Sequence, residues 1–195
     1  MLLSADQRFA IPTATKTGTF SLESSLTKSG TFYQMMPRHA VEVPDSHHGA
    51  TVLIMLRNPY ARLVSMYTWG FKKKHSTLMR WGADGRDSGF DDFLRNWCAA
   101  FDKRHNPDWT TLLAQYVQKA QETNNRVRLF KLENDGVDAM CGYLRRQYPN
   151  VQFLPKRINT SAAEGSWVCN WTKGRVKLVG NRVWADLDLG DYKAP

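Results

Sequence analysis

The chain of 195 residues is 42% hydrophobic, enough for one substantial core, so we expect a single domain over residues 1–195. Its formal net charge of +9 and pI near 9.6 favour anionic partners such as nucleotides, nucleic acid or acidic glycans without choosing among them. Three widely spaced cysteines argue against a disulfide framework or a zinc site, and the lack of a signal-peptide or membrane-span pattern predicts a cytoplasmic chain without a membrane segment.

Four short runs of β-forming residues follow one another along the chain and are typical of strands. They cover residues 8–13, 31–35, 51–56 and 126–130. Helical patterns follow most of these runs. Strands that alternate with helices indicate an α/β fold with a parallel sheet.

Three helices are predicted more firmly from the spacing of apolar residues. The apolar residues from Phe90 to Phe101, and those from Trp109 to Ala120, recur at the offsets of one helix face. A third helix is expected to start after a cap at Asn134 or Asp135 and to end before Pro149. Aromatic residues and Met at helical spacing are usually core residues, so we assign packing and no chemistry to these faces.

A hydroxyl-rich turn with the sequence TKTGTFSL, residues 15–22, lies between the first predicted strand and the following helix. Exposed N–H groups at a helix start attract an anion, Gly18 lets the backbone approach it, and Lys16 adds positive charge. Open α/β sheets bind ligands at this place. Lys16 precedes the glycine, unlike the lysine of the GxxxxGK[ST] motif, which disfavours a magnesium-dependent kinase; an ordinary capped turn is the alternative.

A second candidate anion site follows the strand at 51–56. Arg57 stands at the carboxyl end of this strand, Asn58 can cap a helix with Pro59 at its first position, and Ser65 lies two turns into that helix. Arg57 and Ser65 could reach the same phosphate, with the arginine supplying a planar fork of donors. Two strand ends therefore offer anion sites.

Together, residues 16–22 and 57–67 resemble the sulfotransferase family, whose members pair a K-x-G-T-x-S-L loop with a later R-x-P-x-x-R-x-x-S-x-Y motif. Weaker similarity to Golgi-type carbohydrate sulfotransferases continues at 131–133, 154–161 and 184–192. Thr15 stands where the family usually has a proline before the lysine. The compact chain without an amino-terminal anchor looks more like a bacterial or viral member.

This resemblance implies a three-layer fold like that of the P-loop NTPases, with a parallel β-sheet flanked by helices. It also implies metal-independent transfer of a sulfuryl group from 3′-phosphoadenosine 5′-phosphosulfate (PAPS) to an acceptor hydroxyl, with release of 3′-phosphoadenosine 5′-phosphate (PAP). Lys16 would stabilise the leaving group, while Arg57 and Ser65 would hold the 3′-phosphate. The residues assigned to nucleotide binding are Lys16, Thr17, Gly18, Thr19, Phe20, Ser21, Arg57, Ser65 and Arg157.

A general base for the acceptor hydroxyl is expected after the second predicted strand, where the family has His or Glu. His39 is the first candidate, because imidazole titrates near neutral pH. Glu42, His47 and His48 are its rivals.

The acceptor stays open among a sugar hydroxyl, a small alcohol, a phenol and a tyrosyl peptide, with the later similar segments favouring a carbohydrate. Two other functions are considered: an ATP-dependent P-loop kinase and a basic nucleic-acid-binding module. The aromatic residues that nucleic-acid binding would use for stacking fall mostly on predicted core faces. We therefore expect no nucleic-acid partner.

Overall fold

The computed structural model describes residues 1–104, 107–153 and 171–195. By their contacts these residues form two compact units. The first unit comprises the described residues of Met1–Arg57 and Leu113–Asn159, and the second comprises those of Asn58–Leu112 and Thr160–Pro195. Each unit has its own cluster of buried apolar residues. That one functional domain spans residues 1–195 stays a prediction.

The described helices and strands alternate along much of the chain. The strands are β1 Leu2–Ser4, β2 Phe9–Ile11, β3 Phe32–Gln34, β4 Thr51–Leu56 and β5 Arg126–Lys131. The helices are α1 Thr19–Lys28, α2 Pro59–Lys72, α3 Ser76–Arg80, α4 Asp87–Asp102, α5 Pro107–Thr110, α6 Leu113–Glu122, α7 Gly136–Gln147 and α8 Lys173–Gly190. None of these helices is both long and apolar enough to cross a lipid bilayer.

The first unit contains a mostly parallel sheet with the strand order β3-β1-β2-β4-β5. Strands β2, β4 and β5 pair in parallel, whereas β1 is antiparallel to both β2 and β3. The four predicted strand runs are confirmed as β2 to β5, and the predicted parallel sheet is confirmed in part, because the unpredicted strand β1 runs antiparallel to its neighbours. A short turn joins Ser4 to Phe9, with Gln7 N–H donating to Ser4 O at 3.0 Å, and two strands joined by so short a turn must run antiparallel.

Strand β4 is buried on both faces. Leu53 and Met55 belong to the apolar cluster of the first unit, which includes Leu22 and Leu26 of α1 and Met140, Cys141 and Leu144 of α7. The alternate residues Val52, Ile54 and Leu56 are also buried, and α6 contacts both β4 and β5. Because successive strand residues point to opposite faces, both faces of β4 are covered, which explains its uninterrupted apolar sequence.

Two of the three predicted helices are confirmed. The face from Phe90 to Phe101 lies on α4 in the apolar cluster of the second unit. Helix α7 begins after Asp135, which has a left-handed backbone with φ 52°, and ends before Pro149 as expected.

The third prediction, a single helix from Trp109 to Ala120, is wrong, because α5 ends at Thr110 and α6 begins at Leu113. Between them, Thr111 O accepts a hydrogen bond from Nη1 of Arg62 at 2.9 Å. In a continuous helix this carbonyl would accept a hydrogen bond from a main-chain N–H group of the same helix. Here it accepts one from the guanidinium of Arg62.

Candidate functional site

The two sequence motifs start at neighbouring strand ends. Strands β2 and β4 pair in parallel, so their carboxyl ends lie at the same edge of the sheet. The chain leaves β2 through α1 towards β3 on one side, and it leaves β4 towards β5 on the other side. In open α/β sheets, ligands bind at the strand ends where the connections diverge in this way. Residues 13–18 follow β2 and Arg57 follows β4, so both reach this edge.

Arg57 and Lys16 are in direct contact. Nη1 of Arg57 donates a hydrogen bond to the main-chain O of Lys16 at 2.9 Å, and Lys16 has a left-handed backbone with φ 61°. Burial, followed by the charge of Arg57, lowers the pKa of Lys16 from 10.5 to about 8. Two cations held together in a half-buried place favour an anion, whose charge would stabilise protonated Lys16.

The hydroxyl groups of the loop stabilise the loop itself. Oγ1 of Thr17 donates to Ala14 O at 2.8 Å, and Oγ1 of Thr19 donates to the same oxygen at 3.4 Å. Both threonines are buried. Helix α1 begins at Thr19, and the first N–H groups of a helix have no partner within the helix. In this loop the main-chain N–H groups are therefore the donors suited to an anion.

Two observations favour glycine at position 18. Its backbone is left-handed with φ 80°, which disfavours any residue with a side chain. A Cβ atom at this position would also lie 2.7 Å from Cδ1 of Leu132, the residue that follows β5. The local sequence explains the glycine by close approach to a ligand, and the contact with Leu132 adds a packing reason that the local sequence does not show.

Lys131 is a further basic residue at this edge, and neither anion-site motif contains it. It ends β5 and pairs in register with Leu56, the residue before Arg57. Lys16, Arg57 and Lys131 thus stand at or just after the carboxyl ends of three adjacent parallel strands. The signal that could have identified Lys131 was its position directly after the predicted strand 126–130.

His39 also lies at this edge. Its Nδ1 atom contacts the main-chain O of Thr13, which comes two residues after β2. The side chain is half-buried. The structure therefore brings Lys16, Arg57 and His39 to the carboxyl ends of β2 and β4 within the first unit.

Two of the rival bases lie elsewhere. His47 is fully buried, and its Nε2 contacts Ser4 O at 3.0 Å. Ser4 ends β1, which is antiparallel to β2, so His47 lies at the opposite edge of the sheet from Lys16. His48 follows in the same turn before β4, with Nε2 3.4 Å from Asp45. Glu42 is exposed in the segment that precedes this turn.

The rest of the second motif belongs to the second unit. Oδ1 of Asn58 accepts hydrogen bonds from the N–H groups of Tyr60 at 3.0 Å and Ala61 at 3.3 Å, which confirms the predicted cap. Arg62 and Ser65 are buried on α2. The hydroxyl of Tyr67, also buried, donates to the main-chain O of Arg86.

Several assigned residues fall outside what the structure describes. They are the side chains of Phe20 and Ser21 and the whole of Arg157. Their role in nucleotide binding, like that of Ser65, stays a prediction.

Comparison of the chain with protein-family models, with curated proteins and with solved structures finds no match. Any functional assignment therefore depends on the two motifs and on the geometry of this sheet edge.

Proposed function

We propose that the chain is a PAPS-dependent sulfotransferase whose sheet belongs to a three-layer fold of the P-loop type. The observation that carries this proposal is the hydrogen bond from Arg57 to the main-chain O of Lys16. It joins the two family-like motifs at the divergent ends of β2 and β4. Helix packing on both faces of β4 supports the layered architecture.

The residues at this edge fit a nucleotide that carries phosphate at both its 5′ and 3′ positions. Lys16 and the N–H groups of Thr17, Gly18 and Thr19 would hold the 5′-phosphosulfate, since main-chain N–H groups at the start of a helix bind anions. Arg57 would bind the 3′-phosphate through its planar fork of donors. Recognition of that second phosphate distinguishes the donor from ordinary adenine nucleotides.

In the proposed reaction the bound donor supplies an activated sulfuryl group. His39 accepts the proton that the acceptor hydroxyl loses as its oxygen bonds to sulfur. Protonated Lys16 and the loop N–H groups stabilise the charge gained by the 5′-phosphate oxygen when its bond to sulfur breaks. Catalysis thus depends on positioning and charge neutralisation, as in phosphoryl transfer, and this scheme requires no metal ion. We propose a carbohydrate hydroxyl as the acceptor, on the similarity of the later segments.

The proposal is tested by thermal unfolding of the full chain with PAP and, separately, with ADP and Mg²⁺. A ligand that binds only the folded state raises the melting temperature with occupancy. We expect a clear increase with PAP and little with ADP. An equal increase with both would contradict recognition of the 3′-phosphate, and a preference for ADP with Mg²⁺ would favour the kinase. Oligonucleotide binding with a steep salt dependence and no response to PAP would favour a nucleic-acid-binding module.

The role of Arg57 is tested by substitution in the same assay. Arg57→Ala should largely abolish the shift with PAP, and Arg57→Lys should give an intermediate shift, because lysine keeps the charge but loses the fork. Arg128→Ala is the matched control, since Arg128 lies on β5 with its guanidinium 4.3 Å from the Tyr143 ring centroid on α7. A loss of the PAP shift in both alanine variants would contradict a specific role for Arg57.

A further inference from the structure

The segment after β3 is attached to the rest of the first unit around His39. Nδ1 of His39 contacts Thr13 O, and the hydroxyl of Tyr116 on α6 donates to the main-chain O of His39 at 3.3 Å. The preceding Arg38 forms an ion pair with Glu23 on α1, and its main-chain O accepts a hydrogen bond from the Thr13 hydroxyl. The ring of His39 is thus held from the end of β2 and its backbone from α6.

The contact with Thr13 determines which ring nitrogen carries the hydrogen. A carbonyl oxygen can only accept a hydrogen bond, so Nδ1 of His39 must be the donor. In a neutral imidazole the other nitrogen then holds the lone pair. Nε2 of His39 is therefore the atom that can accept a proton.

We propose that Thr13 holds His39 as the Nδ1–H tautomer and that Tyr116 is a positioning residue that keeps the His39 backbone in place for this contact. The use of Nε2 as the general base rests on the proposed function, whereas the tautomer is a property of the chain without ligand. Tyr116 suits this role because it is buried on α6, which packs on β4 and β5, so its hydroxyl has a fixed position relative to the sheet.

His47 provides an internal comparison with the opposite pattern. Its Nε2 contacts Ser4 O at 3.0 Å, and its Nδ1 contacts the Ser46 hydroxyl at 3.0 Å. By the same reasoning Nε2 of His47 carries the hydrogen, and Nδ1 accepts from the hydroxyl. The two histidines should therefore be opposite tautomers in one molecule.

Long-range ¹H–¹⁵N NMR correlations of the labelled full chain at about pH 8, where ordinary imidazoles are neutral, distinguish the two nitrogens of each ring. We expect a protonated Nδ1 in His39 and a protonated Nε2 in His47. Tyr116→Phe should raise the Nε2–H fraction of His39 and leave His47 unchanged. Tyr33→Phe on β3 removes an exposed hydroxyl but keeps the ring that lies 6.5 Å from the His47 ring, so it should change neither tautomer. A His39 ring with its hydrogen on Nε2 in the wild-type chain would overturn the proposal, whatever the variants do.

A rate measurement connects the tautomer to catalysis. We expect His39→Gln to lower the release of PAP from PAPS, with water as the acceptor, by roughly 10²-fold. Tyr116→Phe should lower it about fivefold, the factor that corresponds to one ordinary hydrogen bond, with an unchanged thermal shift by PAP. If Tyr116→Phe is stabilised by PAP and keeps the wild-type rate and the wild-type His39 tautomer, the positioning role of Tyr116 is overturned, and the other parts of the proposal stand. The expected tautomers without any stabilisation by PAP would support the Nδ1–H assignment and contradict the sulfotransferase.

Discussion

Arg57 and Arg62 belong to one sequence motif but have different surroundings. Arg57 is half-buried at the end of β4 and donates to the main-chain O of Lys16 in the first unit. Arg62 is only 4% exposed, and in the second unit its Nη1 lies 2.9 Å from Thr111 O and 3.9 Å from Oδ2 of Asp186. A motif that resembles one ligand site therefore contains an arginine suited to binding and another that stabilises packing. Burial and partners distinguish them, whereas residue type does not.

The largest effect on stability is expected from Arg62→Ala. It would remove the guanidinium that bonds Thr111 O and lies 3.9 Å from the Asp186 carboxylate, and breaking a buried ion pair costs about 3–5 kcal/mol. Chemical denaturation measures this loss. The double variant Arg62→Met with Asp186→Leu is the control and should recover most of the stability, because it removes both charges. Wild-type stability in Arg62→Ala would contradict a structural role.

Gly18→Ala, in the loop proposed to bind the nucleotide, should have the next largest effect on stability. A side chain at φ 80° costs about 1–3 kcal/mol, and the added Cβ would also meet Leu132 at 2.7 Å. We expect lower stability in urea and a weaker thermal shift with PAP. Adding Leu132→Ala should remove the steric conflict and leave the backbone cost. Unchanged stability of Gly18→Ala would show that the loop has another conformation.

Asn58→Ala tests the contribution of the helix cap to stability independently of the neighbouring Arg57. Its side chain accepts from two N–H groups of α2, and loss of such a cap costs about 1 kcal/mol. Asn58→Ser should retain most of the stability, since serine also caps helices. By contrast, Arg57→Ala should affect nucleotide binding much more than urea unfolding. A larger loss of stability in Arg57→Ala than in Arg62→Ala would contradict the conclusion that Arg57 serves binding and Arg62 serves packing.

A pH dependence of stability is expected from Lys16. Its pKa is about 8 in the folded chain and 10.5 as the ordinary value, so the unfolded chain binds more protons between these pH values. The free energy of unfolding should therefore rise as the pH increases from about 8 to 10.5, and the difference between wild type and Lys16→Met isolates this contribution. The affinity for PAP should fall over the same range as Lys16 loses its charge. A constant difference across the range would contradict the lowered pKa.

Local patterns predicted much of the fold and part of the candidate site. Strands β2 to β5, the helix faces on α4 and α7, and the cap at Asn58 depend on residues close together in the sequence, and all are confirmed. The same reasoning failed at residues 110–112, where it predicted a continuous helix. There Thr111 O bonds Arg62, which lies 49 residues earlier in the sequence. It also missed β1, Leu2–Ser4, at the start of the chain.

The sequence by itself predicted the strands, the helix cap and the glycine-containing turn at the two strand ends. Periodicity, capping and glycine conformation are local properties. Tertiary structure alone decided that β2 and β4 are neighbours, that Arg57 reaches Lys16, and that His39 and His47 lie at opposite edges of the sheet. These relations depend on strand order and on contacts between distant segments, which only the packing of buried faces determines.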